Sequence, residues 1–168
     1  TASADANLTF VDGASSVVLD STYKEYLFTF NNIHPATDDS KLLVNFRDGG
    51  TDYDATKTTT FFRAQHSEGG ANGNLSYRTD DDLAQSTAAQ PLTMDIGNAN
   101  DESASGEMIL YNPSSTTFVK HFIANANCVY SGDYSMQSFV AGYCNVTAAI
   151  DAVQFTMEGG TNIDSGDI

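Results

Sequence analysis

The chain has 168 residues, 40% of them hydrophobic, with ten Phe and eight Tyr but no Trp; a chain of this length buries about two thirds of the surface it exposes when unfolded, enough for one domain with its own core. Seven Lys and Arg stand against 22 Asp and Glu, a formal charge of -15, which repels phosphate backbones and anionic membranes over roughly a Debye length and argues against nucleic acid or a membrane surface as partner. No apolar run approaches the ~18 residues of a membrane-spanning helix and no basic-apolar signal opens the chain; residue 1 is Thr, so an initiator segment lies upstream or has been processed.

In chain order, strands are expected over Asn7–Val11, Ser16–Leu19, Tyr23–Asn31, Lys41–Arg47, Thr58–Gln65, Asn74–Arg78, Pro91–Ile96, Glu107–Tyr111, Thr117–Tyr130, Met136–Val146 and Ala152–Glu158. Period-two alternation identifies them, because successive strand side chains point to opposite faces. Tyr26, Phe28 and Phe30 share one parity, as do Leu42, Val44 and Phe46, then Phe139, Ala141 and Tyr143, then Val153, Phe155 and Met157, so each set is expected on a dry face. Turn chemistry falls between the runs, at Asp12-Gly13, Asp48-Gly49-Gly50, Glu68-Gly69-Gly70, Asn72-Gly73, Gly97-Asn98, Asn112-Pro113 and Gly159-Gly160. The best helical candidates, Asp81–Ala89 and Val146–Ala152, are too short to stand without packing. The pattern predicts an all-β protein, an antiparallel two-sheet β-sandwich forming a single domain over residues 1–168. The closing segment Thr161–Ile168 reads as the approach to a final strand, which the chain beyond it or a neighbouring subunit supplies. It and Asn7–Val11 are natural places for strand exchange, so a homo-oligomer is expected.

The two cysteines, Cys128 and Cys144, lie in runs joined by Ser131-Gly132-Asp133. A simple hairpin there places Cys128 opposite Gln137 and Cys144 opposite His121. The sulfurs are then on the order of 20 Å apart at strand rise, beyond the reach of a disulfide, and two free thiols are expected.

Residue types that carry catalysis are sparse. His34, His66 and His121 are isolated, and no Gly-x-Ser-x-Gly elbow or Cys-His signature accompanies them. Glycoside hydrolysis needs paired carboxylates, carried in many sandwich glycosidases as Glu-x-Asp-x-x-Glu on one strand. Here the acids cluster in loops instead, at Asp38-Asp39, Asp80–Asp82 and Asp101-Glu102. No catalytic residue and no cofactor is therefore expected, and the chain reads as a non-enzyme. The loop Asp48-Gly49-Gly50-Thr51-Asp52-Tyr53-Asp54 is the best metal candidate, with Asp48, Asp52 and Asp54 as hard oxygen donors for calcium, although it lacks EF-hand spacing. Cys and His are too few for a zinc cage. Asn7, Asn74 and Asn145 open Asn-x-Ser/Thr sequons, at the frequency that chance gives in an Asn-, Ser- and Thr-rich chain. Tyr53, Tyr77, Tyr130 and Tyr134 fall in or beside loops, where an aromatic ring can stack on a sugar or anchor a protein partner.

The stretch Asp20-Ser21-Thr22-Tyr23-Lys24-Glu25-Tyr26, then Phe30-Asn31-Asn32-Ile33-His34-Pro35-Ala36-Thr37-Asp38, resembles small virion structural proteins of tailed phages, especially those of marine bacteria and cyanobacteria. The likeness continues through Asp48-Gly49-Gly50, Tyr111-Asn112-Pro113-Ser114 and the run from Phe139 to Phe155, so it spans most of the chain in order. Such proteins close with a strand after a Gly-Asn-Ile turn, and Thr161–Ile168 stands at the equivalent point. The resemblance implies a jelly-roll-like sandwich and a non-enzymatic component on the exterior of a virion, either a capsid decoration protein or a tail fibre or appendage subunit. Its expected partners are other virion proteins and copies of itself. The alternative is a carbohydrate-binding or receptor-binding adhesin module, whose partner is a host-surface glycan.

Overall fold

The computed structural model describes residues 1–168. Its longest regular feature follows from the longest alternating stretch. The three residues Ser131-Gly132-Asp133 close a hairpin in which Asp133 takes a left-handed φ of 61° and its N–H donates to Tyr130 O at 2.9 Å. Tyr130 thereby faces Tyr134, Cys128 faces Met136 and Cys144 faces Lys120. This register differs by one residue from the expected Gln137 and His121 partners. The cysteines still sit at opposite ends of the hairpin, both buried and both free.

The chain forms β1 (Ala2–Asp5), β2 (Asn7–Val11), β3 (Glu25–Pro35), β4 (Leu42–Arg47), β5 (Lys57–Ser67), β6 (Gly73–Tyr77), β7 (Gln90–Pro91), β8 (Ala104–Tyr111), β9 (Lys120–Tyr130), β10 (Tyr134–Cys144), β11 (Ala152–Met157) and β12 (Ile163–Asp167). Eight of them make one sheet in the order β1-β12-β3-β8-β9-β10-β5-β6, and four make a second in the order β2-β11-β4-β7. All the pairings are antiparallel. From β1 to β5 the chain changes sheet at every step, and it does so again from β10 through β11 to β12, a jelly-roll-like way of stitching two layers together. There is no α-helix, only a 3-10 turn at Glu158–Gly160. No helix is long and apolar enough to cross a membrane.

Between the layers lies the core. Phe28 and Phe30 of β3 meet Phe155 of β11 at ring-centroid distances of 5.5 and 5.4 Å, and Phe46 of β4 meets Phe122 of β9 at 5.1 Å. The sets Leu42, Val44, Phe46 and Val153, Phe155, Met157 are buried as their parity predicts. The set on β10 is reversed: Met136, Ser138, Val140 and Cys144 point inward, while Phe139, Ala141 and Tyr143 point out. Both parities of that strand are apolar, so alternation could not choose between them.

Three other expectations change. Ser16–Leu19 is a loop, turned by Ser15 and Ser16 at φ 50° and 66°, that tucks Leu19 into the core. Pro91–Ile96 is a strand only at its start and bends at Thr93 and Met94, with Leu92 N–H donating to Leu42 O at 2.7 Å and Ile96 bridging Ser40 ahead of β4. Thr161–Ile168 is more than an approach, since Ile163–Asp167 within it is already a strand, β12, seated between β1 and β3.

A bulge organises that corner. Phe30 faces Gly106, but the next paired residue is Ile33, opposite Ala104. Asn32 takes φ 52° and its N–H donates to Ser105 Oγ at 3.0 Å. Gly166 of β12, at φ 114°, lies against this bulge so closely that a Cβ would come 2.6 Å from Asn32 O. β12 pairs with β3 from Pro35 to Asn31, leaving Glu25–Phe30 paired on the β8 side only.

Candidate interaction face

The four-stranded sheet covers one face of the eight-stranded sheet, and the other face looks outward. Its side chains stand in cross-strand rows fixed by the register. One row runs Leu27, Ile109, Ile123, Ala141 and Thr60 across β3, β8, β9, β10 and β5. The next runs Thr29, Glu107, Asn125, Phe139, Phe62 and Tyr77. A third holds Ser105, Asn127, Gln137, Ala64 and Leu75. Directly opposed side chains in such rows lie about 5 Å apart and make one continuous surface.

At the centre, Phe62 and Phe139 stack at 4.8 Å with an interplanar angle of 12°. Leu27, Phe62, Ile123, Tyr77 and Leu75 are between 40% and 68% exposed, which makes this an apolar strip on a chain that is otherwise strongly acidic. Small residues sink the surface beside it. A depression of about 400 Å³ lies over Thr58, Thr60, His121, Ala141, Gly142 and Tyr143. A Cβ at Gly142 would come 2.5 Å from Thr59 Cγ2, so glycine is required by the close approach of β5. On the far side, a polar depression is lined by Ser105, Glu107, Asn125, Asn127 and Gln137. The face therefore offers ring surface and aliphatic area bordered by carboxamides.

Of the four tyrosines expected to contact partners, Tyr77 lies on this face, with its hydroxyl donating to Asp82 Oδ2 at 2.5 Å. Tyr130 and Tyr134 meet each other, ring centroids 6.3 Å apart, at the turn of the β9–β10 hairpin. Tyr53 lies at the opposite end, where the Arg47 guanidinium sits 5.9 Å from its ring. The four do not converge. Asp48, Asp52 and Asp54 do not converge either, for no group of three or more His, Cys, Asp or Glu side chains capable of holding an ion forms in the structure. The histidines are dispersed: His34 bonds Ala99 O, His66 bonds Ser67 O, and His121 lies on the outer face 5.9 Å from the Tyr143 ring.

Sequence reasoning missed Phe62, Phe139 and Ile123 as surface residues. The available signal was β9, where His121, Ile123, Asn125 and Asn127 share a parity opposite to that of Phe122, Ala124 and Ala126. That alternation marks the outward side, and the hairpin register carries it to β10.

Charged groups are buried elsewhere. Lys57 and Lys120 are both fully buried and both stand opposite Cys144. Lys57 Nζ donates to Ala55 O at 2.7 Å and to Asn45 Oδ1, and Lys120 Nζ donates to Val146 O at 2.7 Å and to Ala148 O. Burial pushes Lys57 down to about 8 and pushes the Cys128 and Cys144 thiols up to about 12.

No protein-family model matches the chain, and no curated protein matches it. Among solved structures it is similar to a Bacteroides ovatus protein from structural genomics, described as of unknown function, with 6% identity and a TM-score of 0.35. The match covers 62% of this chain and 45% of that protein, so the chain spans less than half of its length.

Proposed function

We propose that the chain is a non-enzymatic structural protein of the exterior of a tailed-phage particle, a capsid decoration protein or a tail fibre or appendage subunit, and that it attaches through the outward face of its eight-stranded sheet. The observation that carries this reading is the in-register strip Leu27–Ile109–Ile123–Ala141 with the Phe62–Phe139 stack beside it. Contiguous exposed apolar surface of this kind marks contact with another protein. The ordered resemblance in sequence supports the particle, and two stitched sheets make a rigid unit suited to symmetric repetition, in which many weak contacts sum to firm attachment. The test is a density map of the intact particle with a count of copies: a number matching the shell lattice assigns decoration, and one matching the tail symmetry assigns an appendage. A purified particle without this chain overturns the reading.

One observation favours the alternative of a glycan-binding adhesin. The Phe62–Phe139 pair adjoins Asn125, Asn127 and Gln137, so apolar rings and carboxamide donors and acceptors share one patch. Glycan-array binding that Asn125→Ala and Gln137→Ala abolish supports that reading, and silence of the array removes it.

A further inference from the structure

The eight-stranded sheet ends at β6, and the outer edge of that strand is unpaired. In an antiparallel strand the N–H and C=O of one residue point to one edge and those of the next residue to the other. Arg78 N–H donates to Phe61 O and Ser67 N–H to Asn72 O, both at 2.9 Å, so Asn72, Asn74, Ser76 and Arg78 turn their backbone groups toward β5. Gly73, Leu75 and Tyr77 turn theirs away, and no backbone bond from a turn or loop goes to any of the three. After β6 the chain returns to run beside the first half of β5, where Leu83 O accepts from Thr59 N–H and Ser86 bridges Lys57.

The sequence of this edge fits itself. Two copies of Gly73–Tyr77 laid antiparallel bring Leu75 opposite Leu75 and Tyr77 opposite Gly73 at either end, and each of these pairs exchanges both of its backbone bonds. On the outward side Leu75 and Tyr77 are 68% and 51% exposed. There Leu75 gains an aliphatic neighbour, and the row Phe139, Phe62, Tyr77 runs on to a glycine that the tyrosine ring can cover. On the inner side Ser76 comes opposite Asn74. Ser76 Oγ is buried with no hydrogen-bond partner within one copy, and after a turn about χ1 the carboxamide opposite offers it a donor and an acceptor. Gly73–Tyr77 holds no charged residue, so two chains of formal charge -15 can pair here without setting like charges face to face.

We infer that β6 is a self-association edge, pairing antiparallel with β6 of a second copy about a two-fold axis that passes between the two Leu75 residues and joins two sheets into one, outward faces side by side. The inference does not depend on the particle assignment, since it concerns an edge of the sheet and not its outward face. The edge is only five residues long, well below the ~800 Å² per partner of a standard interface, so a weak dimer with a Kd of roughly 0.1–1 mM is expected. Acids flank the segment, Glu68 before it and Asp80 and Asp82 after it, and antiparallel pairing brings the two flanks together. Salt screens that repulsion and is expected to tighten the dimer.

The test is sedimentation equilibrium of the full chain from about 10 µM to about 1 mM, with amide hydrogen exchange followed at both ends of that range. Dimer is expected to grow with concentration and with added salt, and the amides of Leu75 and Tyr77 are expected to slow by about two- to fivefold at the upper end, as the monomer fraction falls. Leu75→Lys and Leu75→Glu each set like charges opposite at the centre of the pairing and are each expected to be monomeric, with core amides as protected as in the parent. An equal mixture of the two sets opposite charges there and is expected to dimerise again. A parent chain that stays monomeric at about 1 mM in high salt overturns the inference. So does association that leaves Leu75 and Tyr77 unprotected, association that Leu75→Lys does not weaken, or a mixture that stays monomeric.

Discussion

Asp81 has 1% of its side chain exposed and sits between Lys41 Nζ and Arg78 Nε, each at 2.9 Å. Burial acts to raise its pKa, but the hydrogen bonds and charges of the two bases outweigh that and hold the carboxyl below the usual range. A depressed folded pKa gives stability that is present above the unfolded value near 4 and is lost as pH falls through the folded one. Asp81→Asn leaves two bases facing a neutral amide and is expected to cost about 3 kcal/mol in urea unfolding at neutral pH. The variant is also expected to lose less stability than the parent when acidified. At the other end of the pH scale, Lys57 and the two thiols oppose each other. Lys57, at about 8 against an ordinary 10.5, carries a penalty for charge that is felt below pH 8 and relieved as pH rises toward 10.5. Cys128 and Cys144, at about 12 against 9.0, keep protons that the unfolded chain releases, so they lose stabilisation as pH rises above 9. Burial also lowers Lys120, so two amines act against two thiols, and the urea midpoint is expected to climb from about pH 8 to about pH 9 and to level off above it. Lys57→Met weakens the climb, and Cys128→Ala extends it above pH 9.

β4 and β11 pack against the core with one parity only, and their orientation is legible in Leu42, Val44, Phe46 and in Val153, Phe155, Met157. β10 is apolar on both sides and misleads: the aromatic parity faces outward because β9 and β5 pin it in register with Ile123 and Phe62. β12, Ile163-Asp164-Ser165-Gly166-Asp167, has almost no strand signal and forms because its neighbours' edges and the β3 bulge receive it. Close approach of backbones sets a further demand. At Gly106 of β8 a Cβ would lie 2.2 Å from Asn125 O and 2.6 Å from Ala126 Cα, both backbone atoms of β9. Gly106→Ala must push two paired strands apart, and its expected cost is about 2 kcal/mol or more in thermal or urea unfolding. Gly69→Ala, where nothing lies within 4 Å, is expected to change little.

For the whole molecule, the unequal sheets are decisive. Four strands cannot cover eight on both sides, so one face of the large sheet stays bare and collects the apolar side chains that parity alone assigned to a core. The double variant Phe62→Ser, Ile123→Ser is expected to fold with a loss of about 2–4 kcal/mol, because these side chains are only 40% and 46% exposed and Phe62 stacks on Phe139. On the proposed reading as a particle component, the same double variant is expected to fail to join the particle, as read by its copy number in purified virions. Full incorporation of a folded double variant would remove this face as the attachment surface.

Local physics written in the sequence determined the all-β character, the turns and nearly all the strands, because period-two alternation and turn-forming Gly, Asn and Asp act over a few residues. It also determined that Cys128 and Cys144 stay apart, since a hairpin separates its ends whatever packs upon it. Only the tertiary structure decided which face of β10 is dry, and that Tyr77 and not Tyr53, Tyr130 or Tyr134 joins the apolar strip. Each of these depends on where a second sheet stops covering the first, a matter of long-range pairing and register that no short window of residues encodes.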